Sequence, residues 1–134
     1  MSASTQAAKS TNAPRVTLEQ QRAADAWKCA RGQTAEYAKL AKGLPALIMN
    51  SGLLQVMAFL HEKGKKESQR HCGVLGEHLR AWVSKRFSDI PADDFAEFMN
   101  ALMRADPRKF QAITTECLAW LRWLRQIAAA IEER

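Results

Sequence analysis

The stretch DPRKFQAITTECLAWLRWLRQIAAAIE, residues 106–132, contains the longest amphipathic helix pattern in the chain. Asp106 followed by Pro107 is a typical helix start, because aspartate caps the free amides of the first turn and proline has no amide that needs a partner there. The apolar side chains recur every three or four residues in one stripe: Phe110, Ile113, Cys117, Trp120, Leu121, Leu124, Ala128 and Ile131. The polar residues of the opposite face are Arg108, Gln111, Thr115 and Arg122. Other helices must cover the apolar face.

Four further helices are predicted upstream. The first starts at the cap Thr17, is weakened by Gly32 and ends where the chain breaks at Gly43. Its apolar stripe consists of Ala23, Trp27, Ala30, Thr34, Tyr37 and Ala41. The second starts at Pro45 and ends at Gly64. The third presents one apolar face, formed by Leu75, Leu79, Trp82 and Val83, and the fourth presents another, formed by Phe95, Phe98, Met99, Leu102 and Met103. The sequence therefore predicts a compact all-α bundle of about five helices over residues 17–134.

The second predicted helix is apolar nearly all the way round, since only Ser51, Gln55 and Glu62 form a narrow polar strip. A helix of this kind is buried among others or covered by a partner. We expect four of its side chains to be inaccessible: Leu53, Val56, Met57 and Leu60. Gly52 inside this helix would let another backbone approach closely.

The chain has 134 residues and a mass of 15.0 kDa, enough for one domain with its own core but too short for a two-domain enzyme with a cleft. Residues 1–16 contain no acid and almost no bulky apolar side chain, so we expect a disordered basic tail. The sequence shows neither a secretory signal nor an apolar run that could span a membrane. Three scattered cysteines without a Cys-x-x-Cys motif indicate free thiols in a reducing compartment, and we expect a cytoplasmic protein.

The charge balance suggests a polyanionic partner. Twenty Lys and Arg against fourteen Asp and Glu give a net charge of +6, with a pI near 9.6. A small basic domain favours nucleic acid. The plainer alternative is solubility alone, because net charges of about 2–8 are common on small domains.

No catalytic, metal or cofactor motif stands out. His61, His71 and His78 lack the converging ligands of a metal site, and no phosphate-binding loop or nucleophile motif is present. The acids between Asp89 and Glu97 fit a solvated helix start better than a catalytic cluster. Three of the four tryptophans lie on apolar stripes, which leaves Trp123 as the interface candidate. We therefore expect neither an enzyme nor a small-molecule substrate.

Basic side chains are the remaining candidates. As a set they could track phosphates, although each one alone fits a solvated face. The candidate nucleic-acid-binding residues are Lys39, Lys42, Lys63, Lys65, Lys66, Arg70, Arg108, Arg122 and Arg125. An acidic and a basic end on one small domain could also dock copies head to tail. The candidate interface residues are Asp89, Asp93, Asp94, Arg104, Lys109 and Trp123.

Two segments resemble a known family. They are YAKLAKGLPALIMNSGLLQVMAFLHEKGKK, residues 37–66, and FQAITTECLAWLRWLRQIAAA, residues 110–130. Together they resemble the small all-α subunit of the type III-B CRISPR effector, the fifth-numbered subunit of the Cmr complex. Phe110 stands where the family usually has Tyr, and Cys117 where it usually has Ala; both changes are core-like.

The resemblance implies a non-catalytic subunit of a ribonucleoprotein for antiviral defence. Such subunits stack with copies of themselves into the minor filament and line the groove that receives target RNA. A larger backbone subunit holds the guide RNA and cuts the target, and a polymerase-like large subunit caps one end.

Two other classes stay open from the residues themselves. A freestanding nucleic-acid-binding protein of the helix-turn-helix kind would need a short polar and basic recognition helix, which none of the predicted helices provides. A small helical enzyme would need an acid–base pair, which the sequence does not offer.

Overall fold

The computed structural model describes residues 15–131, and these form six α-helices joined by short turns. The helices are α1, Leu18–Ala30; α2, Ala35–Ser51; α3, Leu53–Lys63; α4, Arg70–Arg86; α5, Phe95–Arg104; and α6, Pro107–Ile131. One turn of 3-10 helix, Glu67–Gln69, precedes α4. The all-α prediction is confirmed, with six helices instead of about five. Most of the predicted tail, residues 1–16, lies outside the described residues.

The long C-terminal helix is the centre of the bundle, and its predicted start is confirmed. Asp106 accepts a hydrogen bond from the amide of Lys109 at 2.9 Å, one turn into the helix. The face of α6 that was predicted to be apolar contacts α1, α2 and α4. Its fully buried residues are Ile113, Cys117, Trp120, Leu121, Leu124 and Ala128. Residues Arg108, Gln111 and Arg122 of the opposite face are exposed, as predicted.

The first predicted helix is in fact two helices. The chain turns after Ala30, where Gly32 takes a φ of +74°, and Thr34 then caps α2. The predicted break at Gly43 and the predicted start at Pro45 are wrong, because α2 continues through both. Four buried residues at helical spacing span that region: Tyr37, Ala41, Leu44 and Ile48. Their burial against the core stabilises the helix across a proline that would otherwise break it.

The turn also changes which face of α1 is buried. The inward positions of α1 are Ala26 and Ala30, with the partly buried Arg22 one turn earlier. Trp27, expected in the core, leaves 47% of its surface exposed. The predicted stripe ran straight into α2, but the turn separates the two helices, so the stripe does not form a single face.

Gly52 separates α2 from α3, so the second predicted helix is also interrupted. Its φ of +87° and ψ of 158° belong to a region that residues other than glycine essentially avoid. A Cβ at this position would meet no atom within 4 Å, so the expected close backbone contact is wrong within this chain. The four residues expected to be inaccessible are indeed buried: Leu53, Val56, Met57 and Leu60. Met49 just before the break is 73% exposed.

Helices α4 and α5 follow the predicted pattern closely. The predicted face of α4 is fully buried, and Phe98 and Leu102 of α5 are buried as well. Met103, in the predicted stripe of α5, is instead 59% exposed. Asp94 is the N-cap of α5 and accepts a hydrogen bond from the amide of Glu97 at 3.1 Å.

A buried carboxylate ties three helices together. Glu116 of α6 receives both Nε and Nη2 of Arg22, each at 2.7 Å, and the indole N–H of Trp82 at 3.0 Å. Arg86 lies 3.9 Å from the same carboxylate. Burial acts to raise the pKa of Glu116, but hydrogen bonds from Arg22 and Trp82 outweigh it, so the pKa lies below its ordinary value. Glu116 is therefore ionised at neutral pH.

Truncating this carboxylate should destabilise the fold strongly. Glu116→Ala leaves Arg22 and Trp82 without their acceptor, and we expect the free energy of unfolding to fall by about 3–5 kcal/mol. Urea denaturation at neutral pH measures this. The control is Glu19→Ala, which removes an exposed carboxylate that accepts from Arg22 at 3.2 Å and from Trp123 at 2.8 Å. Water can replace these exposed contacts, so the variant should cost about 1 kcal/mol or less. Equal losses in the two variants would contradict the role given to Glu116.

Two glycines should respond in opposite directions to the same substitution. Gly52→Ala forces an L side chain into the positive-φ conformation and should cost about 1–3 kcal/mol. Gly43→Ala lies inside α2 with open space around its Cβ and should stabilise the protein by about 0.5–1 kcal/mol. Thermal melts of both variants decide the point. A Gly52→Ala protein as stable as the wild type would show that the break does not need glycine.

Candidate nucleic-acid interface

A groove of about 450 Å³ between α2 and α6 brings together three of the predicted basic residues. Lys39 and Lys42 approach from α2, and Arg125 approaches from α6. The remaining lining is small or polar: Ala35, Ala38, Gln126 and Ala129. Small side chains on the walls leave room for a sugar–phosphate backbone to approach the cations.

The charges in this groove are not neutralised by the protein. Lys39, Lys42 and Arg125 are all exposed, and none pairs with a carboxylate of residues 15–131. Exposed unpaired cations keep their hydration and release counterions when a phosphate binds. The groove can therefore hold a polyanion without sequence readout.

The other predicted basic residues fall into separate places. Arg122 is exposed one turn before Arg125 on α6, which puts it near the groove. Arg108 is seventeen residues before Arg125, about 25 Å away along the helix, so it belongs to another surface.

The turn after α3 holds a second basic cluster. Lys65 and Lys66 are exposed in the turn, and the ammonium of Lys63 lies 5.9 Å from the ring centre of Phe59. Arg70 forms an exposed ion pair with Glu67 at 3.5 Å. The turn is fixed by the close approach of two glycine backbones, Gly64 and Gly73, where a Cβ on the former would collide.

The predicted acidic and basic ends are not fully separate. Asp89 forms an ion pair with Lys109, and both line a hollow of about 330 Å³ together with Arg104. Asp93 and Glu97 are exposed, and neither side chain has an ion-pair partner among residues 15–131. Asp89 is therefore already held by a cation of its own chain, unlike Asp93 and Glu97.

Trp123, the predicted interface tryptophan, is half-buried and has a partner in its own chain. Its indole N–H donates to Glu19 of α1 at 2.8 Å. Part of the Trp123 side chain is still exposed, so the residue stays a candidate for contact with a neighbouring subunit.

The histidines and cysteines are dispersed. Within residues 15–131 no group of three His, Cys, Asp or Glu side chains could hold a metal ion. His78 is hydrogen-bonded to the Tyr37 hydroxyl at 2.7 Å, and burial lowers the pKa of His78 and raises the pKa of Tyr37. Burial likewise raises the pKa of Cys29 to about 12, so this half-buried thiol stays protonated. Cys72 and Cys117 are buried and free.

None of the helices in residues 15–131 is both long and apolar enough to cross a membrane.

Sequence reasoning missed Arg22 and did not anticipate the role of Glu116, because the two residues are 94 positions apart. No local spacing could have revealed that contact. Gln126 was missed as well, since a single glutamine beside an arginine gives no signal.

Comparison with known proteins identifies the family. The family model described as CRISPR-associated protein (Cas_Cmr5) matches residues 18–131. The CRISPR system Cmr subunit Cmr5 of Thermus thermophilus is 29% identical over 107 residues, which cover 79% of this chain and 84% of the relative. The protein of the same description from Thermotoga maritima is 29% identical over 100 residues, 73% of this chain and 70% of the relative.

A solved structure agrees with the sequence comparison. The crystal structure of a CRISPR-associated Cmr5 family protein from Thermus thermophilus superimposes with a TM-score of 0.63 at 28% identity. The match covers 86% of this chain and 93% of that chain. Since the family model extends over nearly all of the described helices, the chain belongs to the Cmr5 family of CRISPR-associated proteins.

Proposed function

We propose that this chain is a non-catalytic small subunit of a type III-B CRISPR ribonucleoprotein, and that its α2–α6 groove lines the channel that receives target RNA. The observation that carries the proposal is the set of three exposed cations in that groove, none paired within residues 15–131. Relatives of this chain are described as subunits of the CRISPR Cmr system. The partners are the backbone subunit that holds the guide RNA, the polymerase-like large subunit and further copies of this chain.

The chemistry of the groove supports binding without sequence preference. Lysine and arginine contacts to phosphates position a strand but carry no base information. A target strand that is read by pairing with a guide RNA needs this kind of support from the protein. A subunit of such an effector would act in the cytoplasm.

Exposed apolar side chains support a place in a larger assembly. Leu47 and Phe59, both partly exposed, line a hollow of about 160 Å³ where α2 meets α3. Clustered apolar exposure of this kind is typical of a subunit surface that a neighbour covers. We propose that copies stack head to tail, with Asp93 and Glu97 facing basic residues of the next copy.

Removing the groove charges should flatten the salt dependence of target capture. In the reconstituted complex, Lys42→Ala/Arg125→Ala should reduce the slope of log affinity against log salt by about 0.7 for each phosphate that the groove no longer neutralises. The matched control, Arg104→Ala/Arg108→Ala, removes the same charge at the end of α5 and the start of α6, away from the groove, and should leave the slope unchanged. An unchanged slope in the groove variant, with assembly intact, would refute the groove as the RNA surface.

Reversing the charges of Asp93 and Glu97 should shorten the stack of small subunits. Asp93→Lys/Glu97→Lys places like charges opposite the basic residues of the next copy, and native mass spectrometry of the complex should count fewer copies. Asp94 is avoided because it caps α5. The control Glu36→Lys/Glu62→Lys also changes one first-turn acid and one other exposed acid. If both variants keep the wild-type copy number, the electrostatic stacking is wrong.

A further inference from the structure

Arg80 is a buried charge without a carboxylate partner. The residue is 7% exposed in the middle of α4, and no Asp or Glu of residues 15–131 forms an ion pair with it. Its Nε donates to the backbone oxygen of Ala92 at 3.1 Å, and its guanidinium carbon lies 5.7 Å from the ring centre of Phe95. Buried guanidinium groups are usually paired, because leaving such a charge uncompensated is costly.

The free edge of this guanidinium reaches the surface. Every fully buried side-chain nitrogen and oxygen of residues 15–131 has a hydrogen-bond partner, whereas neither Nη of Arg80 has one within those residues. The two Nη atoms must therefore touch solvent. The Nη N–H donors of Arg80 have no acceptor within residues 15–131, and a guanidinium presents such donors in the fixed fork that suits an oxyanion.

An aromatic ring and an imidazole lie beside this guanidinium. His61 of α3 stacks on Phe95, with ring centres 3.8 Å apart and planes 3° from parallel. Arg80 and His61 thus both lie against the ring of Phe95, and burial together with the positive charges of Arg80 and Lys65 lowers the pKa of His61. Glu77 is the acid that opposes them.

We propose that Arg80, His61 and Lys65 form a second RNA-binding point, which takes one phosphodiester of an RNA strand beside the ring of Phe95. The three donors come from α3, the turn after it and α4, a surface distinct from the α2–α6 groove. Two cations and an imidazole N–H suit a phosphate better than a single protein carboxylate, which one guanidinium would satisfy. The inference rests on the proposed function, since it takes RNA as the ligand.

The imidazole of His61 reports directly on this site. In NMR titrations of the full chain, both inorganic phosphate and a six-nucleotide oligouridine should shift the His61 resonances and raise the pKa of His61 by about 0.5–1. A bound phosphate stabilises the protonated ring, which gives the sign. The resonances of His71 and His78 should not respond, because His71 lies at the start of α4 and His78 is held by Tyr37.

Two variants separate binding from folding. Arg80→Met keeps an apolar stem of similar volume and should weaken the oligouridine response of His61 about tenfold or more. Lys65→Ala changes an exposed side chain, so it should weaken the response without affecting the fold. Lys28→Ala, which changes an exposed lysine of α1, is the matched control and should leave the response unchanged.

Four results of these titrations would contradict the proposed site or its RNA ligand. An unshifted His61, an equal response of all three histidines, or a full response in Arg80→Met or Lys65→Ala would overturn the site. A response to phosphate without one to oligouridine would restrict the site to free anions and refute RNA binding there. The His61 response should persist in Lys42→Ala/Arg125→Ala, so failure here is distinguishable from failure of the α2–α6 groove.

Discussion

The packing of this bundle depends on one buried carboxylate. Glu116 lies on the inner face of α6 and is shared between the guanidinium of Arg22 from α1 and the indole of Trp82 from α4. A carboxylate removed from water is tolerated only when its lone pairs are used and an opposite charge is close. Arg22 provides two parallel N–H bonds, a geometry that one register of α1 against α6 satisfies. The position of α4 is fixed by the same atoms.

Other polar contacts extend this arrangement and leave the outer surface basic. Asp25 accepts hydrogen bonds from Trp120 at 2.9 Å and Lys85 at 3.2 Å, and Tyr37 is bonded to His78. The inner acids are thus neutralised by cations and N–H groups of the inner faces. Lys39, Lys42 and Arg125 receive no such partner among residues 15–131. Part of the net positive charge of the chain is in this way exposed in the α2–α6 groove.

The sequence could specify elements whose signals are local. The start of α6 at Asp106, its buried stripe and the end of α3 at Gly64 follow from capping, spacing and glycine. The boundaries around α2 could not be read this way, because Pro45 and Gly43 carry stronger break signals than Gly52. Burial of the α2 stripe overrides those signals, and the positive φ of Gly52 is a property of the folded chain.

In the candidate site, too, local sequence signals identify single residues but not which of them lie together. Each basic residue could be named from the sequence, but which of them share a surface depends on how α2 crosses α6. That crossing is set by buried side chains far apart in the chain, so Lys42 and Arg125 meet while Arg108 does not. Arg80 was passed over because an arginine on an apolar helix looks like a solvated residue, and only its burial without a carboxylate distinguishes it.

The enclosed polar groups of this bundle differ from the groove cations in having partners within the chain. General acid–base catalysis needs a titratable group that is free to exchange a proton with a substrate. The enclosed groups of this bundle are instead hydrogen-bonded to each other: Glu116 to Arg22, and Tyr37 to His78. The cations of the α2–α6 groove have access to solvent and no carboxylate partner among residues 15–131. Because helices of the bundle already set the positions of their backbones, a strand that bound them would have to order these side chains but no helix.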